Sequence, residues 1–142
     1  RLGLPVAAAQ KQRISDNQVL ITDIFRRQVE GYRSAIIYDD EIATGGTVLA
    51  LCQLLVECNL QKITVICTHG LFAHGALEKL SNIPQIQEIV TTNTVPPPDK
   101  SPSGLKVISV APVFGEAIWR NFHRKSIGDL FTYSDEAGFE PD

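Results

Sequence analysis

Few folds accommodate the passage from Ser34 to Thr47, which reads SAIIYDDEIATGGT. The apolar run from Ala35 to Tyr38 has the length and β-branched content of a buried strand. It leads into two carboxylates, Asp39 and Asp40, and then into the turn Thr44-Gly45-Gly46-Thr47. The segment VLALCQLLVEC follows, with Val48, Leu51, Leu54 and Leu55 at helical spacing. The predicted order is strand, acidic loop, glycine turn, helix. The first turn of a helix carries unpaired backbone N–H groups, and glycines let an anion approach them without a Cβ in the way. Thr44 and Thr47 add hydroxyl donors. Carboxylates repel a phosphate, but they accept hydrogen bonds from sugar hydroxyls or sit near Mg²⁺. A phosphorylated sugar suits this combination, although a glycine turn on its own also serves as a plain helix start.

Strands alternating with helices surround this passage. The segment Leu4 to Ala9 is apolar enough for a strand, and beyond it Lys11 and Arg13, two apart in an extended chain, point to one side. That pair is either a local cation for a phosphate or a solvated basic loop. Val19 to Ile24 alternates weakly, as an outer strand would. KITVICTHG reads as a second buried strand ending at Thr68-His69-Gly70, after a stop at Asn59. A helix is expected next through Leu71, Ala76, Leu77 and Leu80, then a strand from Gln87 to Thr91 and a loop governed by Pro96, Pro97 and Pro98. A strand from Leu105 to Val110, a break at Pro112 and a helix with Phe114, Ile118 and Phe122 on one face complete the pattern. The expectation is an α/β fold, a mainly parallel sheet flanked by helices on both faces, because a parallel crossover returns over the sheet. Ligands of such sheets bind beyond the carboxyl ends of the strands. Lys11, Asp39, Asp40 and His69 all fall there. His69 is either a structural residue or a hydrogen-bonding group of the site, and no histidine pair has metal-ligand spacing.

Composition narrows the partners. With 142 residues and 44% hydrophobic content the chain can bury a core, and no internal repeat or domain boundary is visible. A formal net charge of -3 leaves no broad basic surface, which argues against nucleic acid and anionic membranes as main partners. The three cysteines, Cys52, Cys58 and Cys67, lie on apolar patterns, as buried residues of a reducing compartment do. With no membrane-length apolar run and no signal peptide, a cytoplasmic location is expected. The chain contains no methionine and is expected to be part of a longer protein.

The segment DDEIATGGT resembles the ribose-phosphate loop of type I phosphoribosyltransferases and of ribose-phosphate pyrophosphokinases. Other segments resemble the latter: the apolar run followed by Lys11-Gln12-Arg13, THGLF, the Thr-Asn-Thr-x-Pro segment from Thr92 to Pro96, Glu-Ala-Ile in the last helix, and the closing SIGDLF. The resemblance implies a phosphoribosyltransferase-like C-terminal domain over residues 1–131, with an acidic tail at 132–142. It implies transfer of diphosphate from MgATP to ribose 5-phosphate, giving phosphoribosyl pyrophosphate and AMP, in a homo-oligomer. Asp39 and Asp40 are then expected to hold the ribose hydroxyls. Ala43, Thr44, Gly45, Gly46 and Thr47 are expected to hold the 5-phosphate, and Lys11 and Arg13 to act in catalysis. Mg²⁺ comes with ATP, and no protein-only metal site is expected. The ATP contacts would lie outside these residues, so the segment alone is expected to be inactive. Two alternatives stay open. One is a phosphoribosyltransferase, disfavoured because Ala43 stands where hypoxanthine-type members carry a carboxylate. The other is a non-catalytic regulatory homologue, suggested by Gln10 and Gln12 around Lys11.

Overall fold

In the computed structural model, residues 3–7, 25–98 and 102–131 are described, and the chain groups into two compact units, 1–107 and 108–142. The first unit runs through α1 (residues 25–29), β1 (Ser34–Ile42), α2 (Gly46–Glu57) and β2 (Lys62–Gly70). A 3-10 turn (Ala73–Gly75), α3 (Ala76–Ser81) and β3 (Ile86–Thr92) follow, and β4 (Leu105–Ile108) ends at the boundary of the units. The sheet order is β1-β2-β3-β4, with β1 parallel to β2 and β2 parallel to β3. This is the expected α/β class.

Register explains where the core sits. Ile37 lies opposite Val65, and Val65 opposite Ile89, so the period of two gathers the inward residues of three strands on one face. They join one buried cluster with Val48, Cys52 and Leu55 of α2, Ala76, Leu77 and Leu80 of α3, and Phe25 and Val29 of α1. On the other face of β1, Ile36 and Tyr38 are 51% and 73% exposed. The expected cover on both faces therefore does not extend to β1 among the described residues. Successive right-handed crossovers that move in one direction along a sheet place their helices on the same side, which accounts for the one-sided burial at β1, whereas in β3 the consecutive Ile89, Val90 and Thr91 are all buried.

Several boundaries differ from the sequence reading. The strand expected at Leu4 to Ala9 does not form over residues 4–7, where Leu4 and Val6 are 56% and 87% exposed. A strand is held by its neighbour's ladder, and these residues join none. The helix expected from Leu71 begins only at Ala76, because Phe72, His74 and Gly75 all adopt positive φ and no helix passes through left-handed residues. Pro112 does not break the chain but sits in the first turn of α4 (Ala111–Phe122), where its missing N–H costs nothing. Asn59 does end α2, at φ 64, a conformation asparagine tolerates. The expected outer strand at Val19 to Ile24, the pair Lys11 and Arg13, and the tail at 132–142 lie outside the described residues.

In the second unit Arg120 fixes the end of α4. It donates to Glu116 at 2.7 Å one turn back, and to Asp129 at 2.9 Å and the Ser126 carbonyl at 3.0 Å, which ties the 3-10 turn Gly128–Phe131 to the helix. The expected apolar stripe is present, yet Phe114, Ile118 and Phe122 are all exposed.

Candidate functional site

The strand β1 extends further than its apolar run because Asp39, Glu41 and Ile42 pair in register with Cys67, His69 and Gly70. Asp39 and Asp40 are thus adjacent residues of one strand, and such residues face opposite ways. Asp39 is half-buried on the side that α2 covers, whereas Asp40 is exposed. The two carboxylates therefore leave the end of β1 toward different sides. The Asp39 carboxylate instead accepts the backbone N–H of Asp40 at 3.0 Å. Glu41, which sequence reasoning passed over, shares the face of Asp39 and lies opposite His69.

The turn after β1 is clamped from the segment after β2. The N–H groups of Leu71 and Phe72 donate to the Ile42 carbonyl at 3.1 and 3.0 Å, and that of Ala73 donates to the Ala43 carbonyl at 2.8 Å. Ala43 thereby acts through its backbone in holding the loop. The left-handed φ of Phe72 turns this clamp back, and its buried ring lies where a Cβ on Gly70 would be, 2.4 Å away. The signal in the sequence was THGLF, whose glycine and aromatic residue are both required by this close approach.

The two glycines of the turn have different duties. Gly45 is buried at φ 74, and a Cβ there would stand 3.1 Å from the Cβ of Ala76 in α3. Gly46 is the first residue of α2, exposed, with nothing within 4 Å of a would-be Cβ. Thr44 and Thr47 are exposed beside it, the N-cap residue Gly45 has no side chain to cap the helix, and the first turn holds no acidic residue. The start of the helix at Gly46 opens onto free space, and N–H groups of a first helical turn are the donor set an anion requires.

The carboxyl ends of β2 and β3 are joined by hydroxyls. Thr92 Oγ1 donates to the Thr68 carbonyl at 2.8 Å and lies 2.9 Å from Thr94 Oγ1, which in turn is 2.8 Å from His69 Nδ1. Deeper in the sheet the Cys67 thiol meets Thr91 Oγ1 at 3.4 Å. Burial pushes the Cys67 thiol up from its usual pKa, with a smaller opposing pull from Thr91, and burial raises Cys52 to about 11. Neither thiol is a nucleophile near neutral pH.

The structure therefore brings together Asp39, Glu41, Ala43 to Thr47 and His69, and turns Asp40 to the opposite face. Among the described residues no group of three or more His, Cys, Asp and Glu side chains could hold a metal ion. A cleft of about 550 Å³ lies before β1, lined by Arg26, Arg27, Tyr32 and Arg33, and includes none of the expected site residues. No helix of the described residues is long and apolar enough to cross a membrane.

Comparison with known proteins gives concordant matches. A family model, the phosphoribosyl synthetase-associated domain, matches residues 13–132. A putative ribose-phosphate pyrophosphokinase of Streptomyces coelicolor is 47% identical over 131 residues, covering 92% of this chain and 41% of that protein. The ribose-phosphate pyrophosphokinase of Aquifex aeolicus is 38% identical over 132 residues, covering 93% and 42%. The crystal structure of phosphoribosylpyrophosphate synthetase from Mycobacterium smegmatis superposes with a TM-score of 0.62 at 33% identity, covering 68% of this chain and 32% of that one. The chain thus spans about two-fifths of the length of the curated relatives it matches.

Proposed function

Because this chain belongs to the phosphoribosyl synthetase-associated domain family, we propose that it supplies the ribose 5-phosphate site of a ribose-phosphate pyrophosphokinase. The observation that carries this reading is the open space at the start of α2 at Gly46, beside the carboxylates of β1. The N–H groups of the first helical turn, with Thr44 and Thr47, receive the 5-phosphate. Asp39 and Glu41, two apart in β1, accept hydrogen bonds from ribose hydroxyls. Asp40 acts from the other face, toward the rest of the ligand.

In the reaction this assigns, the anomeric oxygen of ribose 5-phosphate attacks the β-phosphorus of ATP. The bond from that phosphorus to the α,β-bridging oxygen breaks, AMP leaves, and the hydroxyl proton is released. The protein's part in such a transfer is alignment and charge stabilisation. Lys11 and Arg13 belong to this reading as the cations that meet charge developing on the transferred group. Mg²⁺ is held largely by nucleotide phosphates with one or two carboxylates. The β1 carboxylates suit that limited role and would not hold the ion alone. A domain over residues 1–131, a cytoplasmic location, ATP binding and homo-oligomerisation are further parts of the proposal. The name pyrophosphokinase, carried by the relatives, supports ATP binding, and the three free cysteines suit a reducing compartment.

Calorimetric titration of the full-length protein with ribose 5-phosphate tests the site. Gly46→Val fills the open space over the helix start, and at least a tenfold loss of affinity is expected, roughly one charge-assisted hydrogen bond. Unchanged affinity in a folded variant removes the loop from the site.

A further inference from the structure

The hydroxyl cluster at the ends of β2 and β3 favours one tautomer of a histidine. Four close contacts link His69 Nδ1, Thr94 Oγ1, Thr92 Oγ1 and the Thr68 carbonyl. They are His69 to Thr94 at 2.8 Å, Thr92 to Thr94 at 2.9 Å, and Thr92 and Thr94 to the carbonyl at 2.8 and 3.1 Å. The Thr94 N–H also donates to Thr92 Oγ1 at 3.2 Å, using a lone pair there. The carbonyl has no proton, and each hydroxyl has one. If Nδ1 carries a lone pair, Thr94 must donate to it, and only two of the four contacts hold a proton. If Nδ1 carries the hydrogen, three of them do. The second arrangement leaves one fewer pair of acceptors facing each other, so Nδ1 is the protonated nitrogen and Nε2 holds the lone pair.

That lone pair is available. His69 is half-buried, and Nε2 has no hydrogen-bond partner among the described residues. No buried side-chain nitrogen or oxygen there lacks a partner, so Nε2 is open to solvent. His69 stands opposite Glu41, one strand from the turn that ends in Gly46. We propose that His69 is a ligand-contacting residue whose Nε2 accepts a hydrogen bond from a hydroxyl of the bound sugar phosphate, and that Thr94 is the positioning residue that fixes its tautomer. This rests on the ribose 5-phosphate reading and adds an acceptor to it. The ligand group is a hydroxyl because an acceptor lone pair has no proton to offer a phosphate.

The test uses the full-length protein with ¹⁵N-labelled histidine, with the His69 signals assigned by their loss in His69→Gln, and ribose 5-phosphate as the ligand. Long-range proton–nitrogen correlation is expected to show Nδ1–H and a bare Nε2 in the free protein, with Nε2 shifting on sugar binding. Thr94→Val is expected to lose the Nδ1–H signature and to weaken binding about two- to tenfold, the scale of one neutral hydrogen bond. Thr94→Ser is expected to restore both. An Nε2–H signature in the free protein overturns the proposal. So does Nδ1–H with unchanged affinity in Thr94→Val and His69→Gln while Gly46→Val abolishes binding; that result leaves the phosphate loop in place. A response of Nε2 to Mg²⁺ without sugar assigns the lone pair to the cation and also overturns it. If Gly46→Val binds normally, the loop reading fails first, and the tautomer measurement still decides the role of Thr94.

Discussion

Neighbouring glycines at the start of α2 are expected to respond in opposite directions when each is changed to alanine. At Gly45, φ is 74, and an L-residue in that region costs about 1–2 kcal/mol. The new Cβ would also stand 3.1 Å from the Cβ of Ala76, a fully buried residue that opens α3, so α3 must shift by a few tenths of an ångström. The sum is about 2 kcal/mol, and for a domain of roughly 100 residues that lowers the melting temperature by about 10 °C. Gly46 is already helical and meets nothing within 4 Å, so alanine there is expected to stabilise the helix by up to about 1 kcal/mol and raise the melting temperature by a few degrees. The same methyl group narrows the approach to the first-turn N–H groups. Affinity for ribose 5-phosphate should then fall while stability rises, whereas Gly45→Ala should lose stability with affinity largely kept in the folded fraction. Differential scanning calorimetry and isothermal titration of the full-length variants measure both quantities. Gly46→Ala with wild-type affinity, or Gly45→Ala with a wild-type melting temperature, refutes this division of roles.

Three other outcomes are expected. The Cys52 thiol loses its proton near pH 9.0 when unfolded but at about 11 when folded. Stability is unaffected by this group well below pH 9 and falls by up to about 1.4 kcal/mol per pH unit between those values. Urea midpoints at pH 8 and 10.5 should diverge more in the wild type than in Cys52→Ala, and equal divergence excludes the buried thiol as the cause. Gly70→Ala drives a methyl group into the Phe72 ring and Thr91 Oγ1 at 2.4 and 2.6 Å, and about 1–3 kcal/mol of destabilisation is expected in thermal unfolding. Lys11→Ala in the full-length enzyme should lower kcat and kcat/KM for ribose 5-phosphate by similar factors, roughly a hundredfold, as loss of a contact made only in the transition state does. A raised KM with unchanged kcat in saturating MgATP reassigns Lys11 to binding.

What could be read from the sequence was local. The β-branched runs of β1 and β2, the glycine start of α2 and its end at Asn59 each depend on residues adjacent in the chain, and each was found where expected. Residues 4–7 show the limit, since an apolar segment becomes a strand only when another supplies its ladder. The site divides along the same line. Asp39 and Asp40 look like a pair in one dimension, and they part because β1 continues as a strand past them, in register with β2 at Asp39, Glu41 and Ile42. His69 is ambiguous in the sequence for a related reason: the hydroxyl that orients it belongs to Thr94, 25 residues away on the far side of α3 and β3. Parallel strands in register bring those residues to one edge, and no motif spacing records that registration. The chemistry of the loop can therefore be read from its residues, whereas the roles of Glu41, Thr92 and Thr94 follow only from which carboxyl ends the sheet sets side by side.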